Sequence, residues 1–536
     1  MPKIKINEVN VTTSQAGTTT SGSPIAILGS AIKGPMNEPT TINTYAQFLS
    51  VFGASAPQNY PFGYYAGKEC TFLGNPILFT RIGSDSAAKA QAVSTKAAGV
   101  YYNGSAYTTL GANDSVFTFK AKYPGTYANG VSITYDVAIT DAADGDGTVT
   151  ISVAKSGSVI ATKTLSYLNG SELGTLDPNL GEVAGIEVIQ NTTTASSKTY
   201  INCPYTATVG ESTTYTAIED ATVSLAGGTD GVDSADSIIS GIESACEKLQ
   251  DSNIYTFQFI CAPGISEIEN TSNVKAWQIL SDLCCGTNYD TSKTFENNDA
   301  RLAIVDPAVT TDSYEDILTD LGVTSSQADA NAQLAIMYPW FEGSVVGESQ
   351  VVDIPPSIAY LRDLCAIQSL GYPCEPVAGP VRGVVSNVKD VKEYLGSVKS
   401  ESVVNMGVNP ISYHRSYGYF FDGNVVYNPN AVSKTYKQLS IRNTINYIKN
   451  SLNEICFSLS YALNIPVIRT QFQGQVTSLL DTMKGSSYIY GYSVEISDNE
   501  DDLAEGRISA TIKVFPTTAL EEFVINLEVV NSGELL

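Results

Sequence analysis

A change of hydrophobic period along this chain constrains its fold more than any single residue does. Between about residue 98 and residue 222 apolar side chains recur at every second position. Val131, Ile133, Tyr135, Val137 and Ile139 share one face, and Val149, Ile151 and Val153 continue in phase beyond a turn. Residues two apart lie on opposite sides of a helix, so only strands can bury this pattern on one side. Thr, Ser, Gly and Tyr dominate the segment, which is expected to form an antiparallel β domain of about 120 residues.

The flanking text has an α/β texture. Pro24 to Gly29 is an apolar run ended by glycine, as a buried strand requires, and Thr44 to Gly53 reads as a short amphipathic helix with a glycine stop. Past the β-rich segment, Ile238, Ile239, Ile242, Ala245, Cys246 and Leu249 recur at three and four, which predicts a helix over 237–249. Tyr255 to Ala262 and Leu302 to Val305 are too apolar to be half exposed, and helical text over 274–284 separates them. Strand, helix, strand in that order predicts a sheet with right-handed crossovers.

The region 430–464 is the longest helical text, with Leu439, Ile445, Ile448, Leu452, Ile455 and Leu459 on one face. A second helix over 471–483 carries Val476, Leu479, Leu480 and Met483. Two alternating strands follow, one through Ile508, Ala510, Ile512 and Val514, the other beyond Pro516 through Phe523, Ile525, Leu527 and Val529. At the other end Ile4 and Ile6 alternate with lysines, and Thr12 to Gly22 is polar text with no core of its own. The expected organisation is an N-terminal arm over 1–22, an α/β core in two parts over 23–97 and 223–515, the inserted β-rich domain over 98–222, and a C-terminal strand arm over 516–536.

A single histidine among 536 residues excludes a His-based metal cluster and leaves room for one His-dependent triad at most. His414 lies in aromatic text from Ser412 to Phe421, and the chain has no Gly-x-Ser-x-Gly elbow, so it reads as a structural or interface residue. Asp141 to Val149 imitates a calcium loop. With Gly147 as the obligate glycine, however, the first and twelfth ligand positions fall on Ala142 and Val153, which predicts a plain turn. Gly227 to Gly231 lacks the lysine of a phosphate loop, and Asp230, Asp233 and Asp236 would repel an anion. These acids are expected to favour the N-terminus of the helix that follows.

The nine cysteines are scattered and mostly flanked by apolar residues, as buried thiols are. Cys365 and Cys374 are spaced so that a disulfide across the loop between them is possible, whereas adjacent Cys284 and Cys285 have no histidine nearby for zinc. No catalytic, cofactor-binding or metal-ligating residue is assigned, no cofactor is expected, and an enzyme is not expected. The 55 acidic residues against 30 basic ones give a net charge of −25, which argues against direct nucleic-acid binding and against an anionic membrane. No apolar run reaches the roughly 20 residues of a membrane span, and Met1 to Ile6 lacks a signal-peptide core, so cytoplasmic synthesis is expected.

Several short motifs, taken in order, resemble one family. The opening through Gly17-Thr18-Thr19-Thr20, Ala26-Ile27-Leu28-Gly29, Lys33-Gly34-Pro35, Pro39-Thr40 and Phe48 to Gly53 is similar to that of contractile-tail sheath proteins of bacteriophages and related injection machines. Tyr123 to Asn129, Leu225 to Gly231, Tyr338-Pro339-Trp340, Pro355-Pro356-Ser357, Gly491-Tyr492, Gly506-Arg507-Ile508 and Val514-Phe515-Pro516 agree with that family's text in order. The chain departs from it after Ser357, where Ile358-Ala359-Tyr360-Leu361 replaces the glycine-containing sequence frequent in the family.

The resemblance implies a subtilisin-like α/β core without protease function, an outward-facing β-rich insertion, and terminal arms that exchange strands with neighbouring copies. It further implies a structural subunit of stacked six-fold rings around an inner tail tube protein, with baseplate and tail terminator proteins as further partners. The sleeve would shorten by rearrangement of rigid subunits to drive penetration of a cell envelope, and would reside in the virion tail after assembly in the host cytoplasm. A surface or secreted polysaccharide-binding or adhesive β-rich protein is the alternative, suggested by 31 tyrosines and the Thr/Ser-rich domain. The acidic loop containing Asp498, Glu500, Asp501, Asp502 and Glu505 is expected to face solvent, since local lysines are too sparse to pair with it.

Overall fold

The computed structural model describes residues 25–94, 100–102, 107–109, 115–141, 145–168, 172–195, 197–208, 214–252, 254–285, 295, 300–323, 333–348, 350–370, 374–428, 434–497, 502 and 506–521. Both proposed strand arms lie outside these residues: Ile4 to Gly22 at one end, and Phe523 to Val529 at the other. Strand β1 (Ile25–Gly29) is wholly buried. Short strand β2 (Thr40–Ile42) leads into helix α1 (Tyr45–Phe52), whose start is fixed by the Thr44 hydroxyl accepting from the Gln47 N–H. Gly53 ends it at φ +100°, a conformation that suits glycine. Helix α2 (Phe62–Phe72) returns the chain to strand β3 (Ile77–Arg81), which pairs in parallel with β1.

At Arg81 the chain leaves for the β-rich body. Its eight principal strands are β4 (Gln91–Val93), β5 (Phe117–Ala121), β6 (Ser132–Ile139), β7 (Gly147–Lys155), β8 (Ser158–Ser166), β9 (Asn179–Val183), β10 (Ile186–Gln190) and β11 (Ala221–Ser224). They form two four-stranded antiparallel sheets, ordered β8-β7-β6-β11 and β9-β10-β5-β4. The alternation legible in the sequence sets the register: Ile133 pairs with Val153, Tyr135 with Ile151 and Val137 with Val149. These side chains meet Phe117, Phe119 and Val188 of the other sheet in a shared core, with Phe119 stacked on Tyr135 at 5.8 Å. Thr134 faces Thr222 and Thr150 faces Thr164 on the polar side. Gln91 and Ala226 exchange backbone hydrogen bonds, so the two ends of the body emerge side by side.

Arg81 ties this body to the core. Its guanidinium donates to the Gly34 and Pro124 carbonyls at 3.1 and 2.6 Å and meets the Asp230 carboxylate at 3.3 Å. Asp230 in turn accepts from the Thr126 N–H and hydroxyl. Burial pushes the guanidinium down to about 10, opposed by Asp230. The Gly227–Gly231 bend therefore serves a protein cation at the junction. Asp230 does not favour the next helix as expected, and that part falls to Ser234, whose hydroxyl accepts from the Ser237 N–H, with Asp236 in the first turn.

Helix α3 (Ala235–Leu249) begins the second half of the core. Strand β12 (Phe259–Cys261), helix α4 (Ala276–Cys285), strand β13 (Leu302–Val305), strand β14 (Leu334–Tyr338), helix α5 (Pro356–Ser369) and hairpin strands β15 (Val408–His414) and β16 (Gly418–Phe421) follow. One eight-stranded sheet results, ordered β2-β3-β1-β12-β13-β14-β15-β16, with every pair from β3 to β15 parallel. Both faces are covered, as the near-continuous apolar strands demand. Ile25, Ile27, Cys261 and Ile304 face α1, α2 and α5, whereas Ala26, Leu28, Ile260 and Val305 face α3 and α4. The departure at Ile358 to Leu361 is the first turn of α5, a helix so deeply buried that the bulkier residues fill core.

Helices α6 (Leu439–Ser458) and α7 (Pro466–Gly485) and the strands β17 (Ile489–Ile496) and β18 (Ala510–Pro516) complete the described chain. The first half of α6 is buried almost all round, so the expected single apolar face holds only in part. Ile445 is half-buried while Asn443 and Asn446 are buried. Its second half packs Ile448 and Leu452 against Val476, Leu480 and Met483 of α7 in a fourth core. Cys374 belongs to that core and Cys365 to the one under the main sheet; both are free thiols, so the conjectured disulfide between them is not formed.

Candidate assembly surface

In an open parallel sheet, ligands settle in the crevice at the carboxyl ends of strands where the order reverses, here beside β1. Protein fills that position. A side chain on Gly29 would strike the Gly63 Cα at 2.6 Å, one on Gly264 would strike the Phe62 ring at 2.4 Å, and Phe62 packs edge-on against Trp340 at 5.2 Å. Among the described residues a constellation with a catalytic look is Asp306, just past β13, whose carboxylate accepts from the Ser357 hydroxyl, the Ser357 N–H at 2.8 Å and the Gly264 N–H at 3.3 Å. Sequence reasoning missed it, since Asp306 carries no local motif. Both residues are fully buried, and Asp306 caps the first turn of α5 from another element. Burial pushes the Asp306 carboxyl up to about 6, against the hydrogen bonds that favour its anion.

The residues singled out in the sequence are dispersed. His414 stands exposed at the tip of the β15–β16 hairpin, where its Nδ1 accepts from the Ser416 N–H at 3.2 Å and its ring lies 5.2 Å from Tyr417. Near Asp141, Gly145 takes φ +74° and its N–H bonds back to the Asp141 carbonyl, which makes the expected turn; Ala142 to Asp144 are outside the described residues. Of the acidic loop only Asp502 is described, and it corrects the solvated reading for that residue. Asp502 takes two hydrogen-bonding contacts from Arg507 at 2.6 and 2.7 Å, and these hold its carboxyl below the usual range. Among the described residues no group of three or more His, Cys, Asp or Glu is placed to hold a metal ion. No helix among the described residues is long and apolar enough to cross a membrane.

A more open surface lies in the C-terminal part of the described chain. Strands β17 and β18 pair with each other from Ile489–Pro516 to Ile496–Ala510, and within the described residues they form a sheet of only two strands. Tyr492, Val494, Ile512 and Val514 pack on α6 and α7, so one face is anchored. Tyr490 and Phe515 are exposed on the sheet, with their rings 5.6 Å apart. A pair of strands is marginal alone and gains its stability here from the helices behind it. Among the described residues no further strand pairs with its two outer edges, which is where backbone N–H and C=O groups can accept one.

Two more features adjoin this sheet. Beyond β18 the Thr517 N–H donates to the Tyr488 carbonyl, and the chain reaches Gln438 at the start of α6, which bonds Ala519 and Glu521. The described chain thus ends at Glu521, held beside the start of α6. Between α6 and α7 the chain exposes Phe457, Tyr461, Leu463, Ile465 and Val467, an apolar strip of the kind that marks a protein contact.

No protein-family model matches the chain, and no curated protein matches its sequence. Solved structures do. The sheath tail protein of Listeria innocua superposes with a TM-score of 0.53 at 12% identity, over 93% of this chain and 96% of its own. The sheath tail protein of Desulfitobacterium hafniense gives 0.51 at 12%, over 91% and 93%. The sheath of an extracellular contractile injection system, PVC, in its contracted state gives 0.50 at 10%, over 100% and 98%. The chain therefore carries the fold of the sheath proteins of contractile tails and injection systems, the family its motifs resemble.

Proposed function

We propose that this chain is the structural subunit of a contractile sheath, stacked as rings around an inner tube and shortening by rearrangement of rigid subunits to drive penetration of a cell envelope. The observation that carries the reading is the anchored two-stranded sheet of β17 and β18, to which no further strand is paired among the described residues, in a fold shared with sheath proteins over nearly the whole chain. Segment 1–22 and, of the expected C-terminal arm 516–536, the part beyond Glu521 act as arms of neighbouring copies that extend this sheet, joining subunits by main-chain hydrogen bonds while the polar Thr/Gly connector absorbs rotation; residues 516–521 stay with their own subunit, in β18 and against Gln438. The core is a subtilisin-like arrangement emptied of chemistry, a reading supported by the buried Asp306–Ser357 pair and by a lone imidazole at a surface tip. The inserted body over about 98–222 faces outward. The inner tube, baseplate and terminator proteins are the expected partners, within a virion tail assembled in the host cytoplasm.

Electron microscopy of the full chain, with and without its tube protein, tests this. Sleeves should form, and deletion of 1–22 or the pair Ile525→Asp and Leu527→Asp should prevent them while the monomer melts normally. Normal sleeves from the truncated chain would refute arm exchange. A chain that never assembles and instead binds polysaccharide would favour the adhesive alternative.

A further inference from the structure

Three buried thiols lie in the core between the main sheet and α2 and α5, and the backbones of two of them are joined through one side chain. Cys70 is in the last turn of α2 and Cys365 in the second half of α5. Asn75 clamps their backbones together: its N–H donates to the Cys70 carbonyl at 3.3 Å, and its side-chain amide donates to the Cys365 carbonyl at 2.7 Å. The neighbouring Cys70 thiol, together with burial, pushes the Cys365 thiol well up. The third, Cys261, is engaged by the Ser357 hydroxyl.

We propose that Cys70 and Cys365 are a dithiol that closes to an intrachain disulfide when the chain meets a two-electron thiol oxidant. One S–S bond forms, two S–H bonds break, and the two hydrogens with their electrons pass to the oxidant, such as the N=N bond of a diazene, which becomes a hydrazine. The two cysteines precede and follow the β-rich body in sequence, so the bond would staple the halves of the core across it and constrain a very long loop of the unfolded chain. Access does not need global unfolding. Cys70 is in the last turn of α2, which ends in the exposed Phe72, and Cys365 lies one turn before the end of α5, which the exposed Leu370 follows, so fraying of these two ends is the low-cost route to the sulfurs. The inference rests on the core alone and is independent of assembly.

The test uses the full chain, reduced, freed of reductant, treated with the diazene diamide under native conditions, then denatured, alkylated and mapped as peptides without reduction. The expected product is a linked peptide pair joining Cys70 to Cys365, two hydrogens lighter than the sum of the reduced peptides. Cys70→Ser and Cys365→Ser should each abolish it, and Cys374→Ser should leave its yield unchanged. Recovery of Cys70 and Cys365 fully alkylated while the half-buried Cys456 is oxidised would overturn the proposal, as would a link from Cys365 to Cys374.

Discussion

Asp306→Asn probes the buried cap of α5 through its pH dependence. The Asp306 side chain is 1% exposed and held by Ser357 and Gly264, yet burial outweighs those bonds and lifts the carboxyl from 3.8 to about 6. A carboxyl raised in the folded state binds its proton more tightly there than in the unfolded chain. Its contribution to stability is therefore fully present below the unfolded value, falls as pH rises through the folded one, and is flat above it. At 1.36 kcal/mol per unit the full span is about 3 kcal/mol, of which about 2 kcal/mol is lost between pH 4 and pH 7 because the unfolded carboxyl is already half ionised at pH 4. Asparagine has the shape of the protonated acid and does not titrate, so the variant should gain about 2 kcal/mol on the natural protein across that window. Asp363, pushed up to about 7 by burial, titrates in both proteins and cancels from the difference. Urea unfolding at several pH values, followed by the two tryptophans, reports on the core directly, because Trp277 lies under the main sheet and Trp340 donates to the Pro307 carbonyl beside Asp306. A constant offset reports only the altered hydrogen bonds. A difference between variant and natural protein that is flat from pH 4 to 7 would refute the argument that burial governs this carboxyl.

Other perturbations have equally definite outcomes. Arg81→Met strands the Gly34 and Pro124 carbonyls and the Asp230 carboxylate, and should cost on the order of 3 kcal/mol, seen as faster proteolysis between core and β-rich body. Gly228→Ala places a Cβ 2.2 Å from the Gly125 carbonyl oxygen and should lower the melting point more than Gly227→Ala, which meets open space but pays about 1 kcal/mol for φ +79°. Tyr490→Ser with Phe515→Ser should change monomer stability by about 1 kcal/mol or less and reduce sleeve formation seen by electron microscopy; sleeves of normal length would show that this face makes no contact between copies.

Elements whose burial obeys one period were legible in the sequence. The alternation from Val131 to Val153 set the pairing of β6 with β7, and the three-and-four spacing from Ile238 to Leu249 set α3, because in each case one face is buried and the other wet. Strand β14 and helix α5 were not read as elements, for the opposite reason. Leu334 to Tyr338 is buried on both sides, and α5 lies inside the molecule with Ile358 to Leu361 all covered, so neither shows a periodic contrast. Asp230 was assigned to the wrong partner because its true one, Arg81, is distant in sequence and is brought to it only by the return of the chain from the β-rich body.

The proposed assembly surface shows why a site of this kind is half visible. The alternation of Ile508, Ile512 and Val514 marks a strand with a buried face, and that face does pack on α6 and α7. The same pattern says nothing about edges, because a strand's side chains report the layers above and below it while its backbone reports the neighbours beside it. Glu495 and Lys513 even form a cross-strand ion pair at 3.0 Å, which helps fix the register between β17 and β18 and leaves their outer backbone groups unaddressed. An open edge becomes evident only when the strands are counted in space. Tyr490 and Phe515 follow the same logic: in the sequence they are two aromatic residues in alternating text, and only the pairing of β17 with β18 brings their rings to 5.6 Å on the exposed side. Contacts that a subunit makes with copies of itself impose no period on the sequence within it, so they must be inferred from apolar side chains and backbone edges that its own fold leaves uncovered.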